Sequence, residues 1–181
     1  MMRTPSTDTA IATIGHSTRS IDELIELLAG FQTTLLMDVR TIPRSRHNPQ
    51  FNRDTLPGTL ATKRIAYCHE PGLGGLRKPR PDSRNTAWRN ASFRGFADYM
   101  QTPEFESQLD RLIGMFRNDR VAIMCAEAVP WRCHRSLIAD ALTARGVEVR
   151  HLIGPGSVQP HRLTPWARAE AGHVSYPGLL T

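Results

Sequence analysis

Lysine is nearly missing from this chain: of 23 basic residues only Lys63 and Lys78 are lysine, and the other 21 are arginine. A charge carried by guanidinium groups favours two-pronged grips on phosphate or carboxylate over the point contacts of lysine. Cysteine is scarce as well. Cys68, Cys125 and Cys133 are odd in number and unevenly spaced, which excludes a disulfide framework and leaves buried thiols, a reactive thiol or metal ligands. No run approaches the ~18 apolar residues of a membrane span, and the opening MMRTPSTDTA has no apolar stretch of the kind that begins a secretory signal. A cytoplasmic protein without a membrane partner is expected. Aromatic residues make up only 7% of the chain, and the basic segments hold just Phe51 and Trp88 or Phe93 as stacking groups, thin for single-strand recognition.

What is present is ordinary globular material, 181 residues with 40% apolar and 22% charged side chains, enough for one sizeable core and short for two. The net charge of +6 favours an anionic partner, a small molecule or a nucleic acid. That charge is localised. Arg40, Arg44, Arg46 and Arg53 lie in a window without an acid, and Arg77, Lys78, Arg80, Arg84, Arg89 and Arg94 face only Asp82. The two windows carry +4 and +5, so the rest of the chain is net −3.

The pattern of elements predicts a single α/β domain over residues 11–154, three-layered and Rossmann-like, with a mainly parallel central sheet. A flexible segment over 1–10 precedes it, and a mostly irregular tail over 155–181 follows, with room for a short helix near Pro165 to Ala171. Strands are expected at Ile11 to Ile14, Thr34 to Val39, Arg64 to Cys68, Arg120 to Cys125 and Val147 to Ile153. Ser20 and Glu23 read as a capping box for the helix that follows the first strand. Helical spacing also runs over Phe93 to Met100 and Pro103 to Phe116, as one helix or as two broken near Pro103, and a further helix is expected from Cys133 to Arg145. The long Arg/Pro-rich loops fall at the carboxyl ends of the strands.

Ligands of open parallel sheets bind at those ends, and the titratable residues gather there. The first strand runs into Gly15, His16 and Ser17, the second into Asp38, Arg40, Arg44 and Ser45. The third runs into His69, Gly72, Gly74 and Gly75, and the fourth into Cys125, Glu127, Cys133, His134 and Arg135. The start of the helix after Cys133, with Arg132 and Arg135 beside it, makes an anion site that would also lower the pKa of an outward-facing thiol. Cys125 and Cys133 read equally well as small apolar core residues. Glu127 reads as a general acid/base or as the partner of Arg132 or Arg135, and Asp38 as the partner of Arg40 or the orienter of a histidine. Ser17 either holds an anion or caps the helix, while Gly74 and Gly75 either make a turn or let backbone approach a ligand. Zinc on Cys125, Cys133 and His134 with His16 or His69 is disfavoured, because adjacent Cys133 and His134 chelate poorly. No metal and no cofactor is expected.

Thr13 to Ser17 (TIGHS), Asp38-Val-Arg40 with Pro43 and Ser45, Leu73-Gly-Gly75, Phe96 to Tyr99, Cys125-Ala-Glu127 with Cys133-His-Arg135, and Ile138-Ala-Asp140 occur in that order. Together they resemble the uncharacterised bacterial family catalogued as domain of unknown function 488, over about residues 11 to 153 and reaching Tyr176-Pro177. The resemblance implies a site on these residues and no particular reaction. The reading that follows is an enzyme acting on a phosphate-bearing substrate, a nucleotide or nucleic-acid component, with Glu127, Cys133, His134, Asp38, His16 and Cys125 as catalytic candidates. Ser17, Arg40, Arg44, Ser45, Gly74, Gly75 and Arg135 would bind the anion. A non-catalytic nucleic-acid-binding protein and a thiol redox or sulfur-transfer protein are the alternatives.

Overall fold

Strands that are apolar on both faces are satisfied only between two helical layers, and the chain folds accordingly. The computed structural model describes residues 9–179. Most of the N-terminal segment expected to be flexible, residues 1–8, therefore lies outside the described residues, and Ala10 is buried. Parallel strands β1 (Ile11–Gly15), β2 (Leu35–Asp38), β3 (Ala66–His69), β4 (Val121–Cys125) and β5 (Val149–Gly154) share one sheet with the antiparallel edge strand β6 (Ser157–Pro160). Their spatial order is β3-β2-β4-β1-β5-β6.

Alternate strand residues serve opposite layers. Ile11, Met37, Ile123, Cys125 and Val149 pack with α3 (Ala91–Tyr99), α4 (Pro103–Phe116) and α5 (Arg135–Ala144). Ala12, Ile14, Leu36, Met124 and Leu152 pack with α1 (Ile21–Gly30) and α2 (Leu56–Ala61). Fully buried Leu24, Leu28 and Leu56 on that second face each stabilise the fold by about 1.5–3 kcal/mol. Helix ends follow local chemistry. Ser20 Oγ accepts from Glu23 N at 3.1 Å while Glu23 Oε2 accepts from Ser20 N at 3.3 Å, the capping box read from the sequence.

Two expectations change. The helix expected from Cys133 begins at Arg135, because a short 3-10 turn at Pro130–Arg132 comes first and leaves Cys133 extended at φ −136°. The tail contains no helix near 165–171. Ala171 and Gly172 both take positive φ (49° and 81°), the two-residue turn of a hairpin, and so join β7 (Arg168–Glu170) to β8 (His173–Ser175). Beyond the hairpin, Tyr176 is fully buried, and its hydroxyl donates to Asp140 Oδ2 at 2.7 Å.

β1 and β4 are neighbours, yet α1 leads from β1 towards β2 on one face and α5 leads from β4 towards β5 on the other. Connections that part in this way open a crevice at the strand carboxyl ends. The functional candidates surround that crevice.

Candidate functional site

Gly15 and Cys125 are register partners at the ends of β1 and β4. His16 N and Ser17 N donate to the Cys125 and Ala126 carbonyls, both at 2.9 Å, so the turn after β1 is tied to the loop after β4. The approach is so close that a Cβ at position 15 would collide with the Glu127 carbonyl, which only glycine avoids. Ser17 takes a left-handed φ of 46°, a conformation that costs energy for a residue other than glycine.

Arg135 organises the loop from beneath. It is fully buried, and its Nη2 donates to the Glu127 and Ala128 carbonyls at 3.1 and 2.9 Å. Its Nε and Nη1 have no hydrogen-bond partner, and no carboxylate pairs with it among the described residues. A buried cation needs a compensating charge. Burial raises the Cys125 thiol, but the hydrogen bond from Cys133, the Arg135 charge and the Glu127 backbone outweigh it and hold Cys125 below the ordinary thiol range. Cys133 is pushed the other way, by burial first and then by its bond to Cys125 and the charge there. The two thiols form one linked site in which Cys125 is held down and Cys133 pushed up.

Across the crevice, fully buried Asp38 accepts Arg40 Nε at 2.8 Å, Arg40 Nη2 at 2.6 Å and the Tyr67 hydroxyl at 2.6 Å. Arg40 Nη2 also donates to the Phe51 carbonyl at 2.6 Å, and Nη1 donates to His16 Nε2 at 3.2 Å. A guanidinium cannot accept, so His16 carries its proton on Nδ1, which donates to the Ser17 carbonyl at 2.9 Å. Its ring stacks on Phe51 with centroids 4.5 Å apart. Burial holds the His16 pKa below its usual value in spite of the Ser17 bond. His134 Nε2 donates to the Val39 carbonyl at 3.0 Å, which leaves Nδ1 facing Cys133 Sγ at 3.5 Å. Burial lowers its pKa to about 4.

These segments enclose a cleft of about 920 Å³ whose wall includes His16, Ser17, Arg40, Arg44, Ser45, Gly75, Cys125, Glu127, Arg132, Cys133 and His134. Asp38, Gly74 and Arg135 stand off that wall: Asp38 lies behind Arg40, Gly74 packs on Thr41, and Arg135 lies under the loop. The Glu127 side chain is exposed and pairs with neither Arg132 nor Arg135, which reaches only its carbonyl. The amides of Ala128 and Val129 find no backbone acceptor among the described residues. Basic residues thus cluster at the loop ends as a surface suited to anions. They come from one arginine window and Arg132. In the other window, Arg77 lies over the Tyr99 ring at 3.6 Å, Arg80 pairs with Asp82 at 3.0 Å, and none of its arginines lines the cleft. Among the described residues, no group of three or more His, Cys, Asp or Glu is arranged to hold a metal ion.

Sequence reasoning did not give Tyr67 a place at Asp38, nor Thr41, Asn90 and Phe93 a place on the cleft wall. Tyr67 was recoverable only through register, since β2 and β3 pair Leu36 with Tyr67 and Asp38 with His69. A family model described as "Domain of unknown function DUF488" matches residues 20–142. That span omits the Thr13 to Ser17 motif and β5, which complete the same sheet and site. No curated protein and no solved structure matches the chain.

Proposed function

The chain belongs to the DUF488 family, and on that premise we propose that it is an enzyme taking a phosphate-bearing substrate, a nucleotide or nucleic-acid component, into the cleft. The observation that carries this reading is the joint presence of Arg44, Arg132, Ser17 and Ser45 on one wall system with a carboxylate, Glu127, that pairs with no cation among the described residues. Arginine forks and free amides suit phosphate oxygens. Arg44, Arg132 and the Ala128 and Val129 amides hold the anion, with Ser17 and Ser45 completing its shell. Glu127 serves as general acid/base. Arg40 is engaged by Asp38, His16 and Phe51, so its part is to orient His16 towards the substrate.

Calorimetric titration with inorganic phosphate and nucleoside monophosphates, together with a turnover screen on phosphorylated compounds, tests the reading. Arg44→Ala and Arg132→Ala should each weaken phosphate binding, and Glu127→Gln should abolish turnover while the fold persists. An identified activity that survives Glu127→Gln removes Glu127 from the mechanism.

A second reading, thiol redox or sulfur-transfer chemistry at Cys125, is supported by the buried Arg135 charge, which has no carboxylate beside it among the described residues. Cys125→Ser separates the two: loss of activity there with retention in Glu127→Gln favours the thiol. Binding of nucleic acid at low salt that persists in both variants without any turnover favours a non-catalytic binding protein.

A further inference from the structure

Large apolar side chains rarely stay exposed together without a use. Trp131 and Trp166 are 62% and 47% exposed, and both stand with Trp88 around a second cavity of about 650 Å³. That size is within the ~300–1,000 Å³ of small-molecule sites. Trp88 and Trp166 meet edge to face with centroids 5.2 Å apart. Among the described residues the buried Trp88 indole Nε1 has no acceptor, an unpaired donor that is costly to leave unmade.

Two of the lining residues, His151 and His161, belong to a buried chain of hydrogen bonds. Thr13 Oγ1 donates to His151 Nδ1 at 2.6 Å, His151 Nε2 to His161 Nδ1 at 2.9 Å, and His161 Nε2 to Asp140 Oδ1 at 2.8 Å. Asp140 is fully buried behind the histidines, and among the described residues no acidic one lines the cavity, whereas Arg162 does. A cationic guest, the other common occupant of an aromatic enclosure, would meet arginine and, among the described residues, no carboxylate on the walls. A flat, uncharged aromatic ring fits these walls.

Position supplies the rest. Trp131 lines this cavity, and Arg132, the next residue on the same 3-10 turn, lines the anion cleft. Consecutive Cα atoms are only about 3.8 Å apart, so one turn presents an indole to one hollow and a guanidinium to the other. We infer that the tryptophan cavity is a base-binding pocket, in which the nucleobase of a nucleotide stacks on Trp131 and Trp166 while its phosphate crosses the Pro130–Arg132 turn into the cleft. The base pocket stands on its own aromatic walls; only the placement of the phosphate rests on the function proposed above.

The test uses the full chain and calorimetric titration with uncharged nucleosides, the matching monophosphates and inorganic phosphate. Nucleosides should bind, Trp131→Ala and Trp166→Ala should each weaken them by roughly tenfold or more, and Arg132→Ala should leave nucleoside affinity unchanged while weakening monophosphates. Trp166→Phe should recover most of the nucleoside affinity, which a merely structural role for the side chain would not explain if both variants melt alike. Absence of nucleoside and nucleotide binding, or binding indifferent to both tryptophans, overturns the inference. Phosphate binding without nucleoside binding sinks the base pocket and leaves the cleft reading intact; nucleoside binding without phosphate binding does the reverse.

Discussion

Arg40 donates Nη1 to His16 Nε2 at 3.2 Å while Asp38 grips the opposite edge of the same guanidinium. One arginine therefore joins the ends of β1 and β2 and fixes which nitrogen of His16 bears the proton. Arg40→Met should cost about 3–5 kcal/mol, the usual penalty for stranding a buried partner charge, because Asp38 keeps only the Tyr67 hydroxyl and the residue 40 amide. Urea denaturation measures it. The double variant Asp38→Asn with Arg40→Met should recover part of that loss, and equal losses in both proteins would refute the assignment.

The paired thiols make a second prediction. A pH titration of thiolate absorbance should show its first transition below the ordinary thiol range, and Cys125→Ser should erase it. Cys133→Ser, whose hydroxyl is a shorter and differently placed donor, should move that transition upward. Arg135→Met should also move it upward by removing the adjacent charge. A transition that persists in Cys125→Ser would assign the acidic thiol elsewhere.

Acid should destabilise the fold well before its carboxylates protonate. Burial, with the His161 and Arg135 charges, lowers the His151 pKa to about 3, and burial lowers that of His134 to about 4. Both histidines are neutral when folded, and an unfolded histidine titrates near 6.5. Below that value the unfolded chain binds protons that the folded chain refuses. Stability is therefore complete above about pH 6.5 and falls as the pH drops towards 4, by up to about 1.4 kcal/mol per pH unit for each histidine. Denaturation midpoints between pH 7.5 and 4.5 check the slope, and His151→Asn should reduce it by one proton's share.

Gly15→Ala should be among the most damaging single-methyl changes in the chain. Its Cβ would strike the Glu127 carbonyl, one of the two loop carbonyls that Arg135 holds. Both stability and phosphate affinity should fall, whereas Gly114→Ala, with open space at its Cβ, should be neutral or slightly stabilising as expected in a helix. Thermal melting and phosphate titration of the two variants make the comparison.

Tyr176→Phe isolates the tail. Removing the hydroxyl leaves Asp140 Oδ2 without its donor in a buried site, a loss of about 1–3 kcal/mol. The ring contact with Trp88, centroids 5.4 Å apart, survives in the variant, so the change reports on the hydrogen bond. An unchanged melting temperature would show that Asp140 is satisfied without it.

Much of the architecture was legible because a strand buried on both faces has no alternative to a continuous apolar run, as in Val121 to Cys125 and Leu35 to Met37. The convergence of His16, Arg40, Cys125 and Glu127 on one cleft was legible for a related reason, since parallel strands deliver their following residues to the same end. Arg135 was not. An arginine at a helix start beside Cys133 and His134 reads as an anion ligand, and only the fold reveals that loop carbonyls surround it instead. The tryptophan cavity was invisible for a different reason. Trp88, Trp131 and Trp166 come from three distant segments, and no periodicity links them. The short strands β6, β7 and β8 lack an apolar run because most of their residues are exposed, so hydrophobic patterning had nothing to detect.

The reversal at β6 has a consequence for the life of the molecule among its own copies. β6 runs antiparallel to β5 at one margin of the sheet and ends at Pro160. A proline offers no amide hydrogen, and it is among the residues that blunt exposed strand margins. With three of its four residues exposed, β6 is the flank where a neighbouring chain would otherwise zip on. Pro160→Val would restore the missing donor together with a strand-forming side chain, and it is the substitution to watch for self-association and fibre growth.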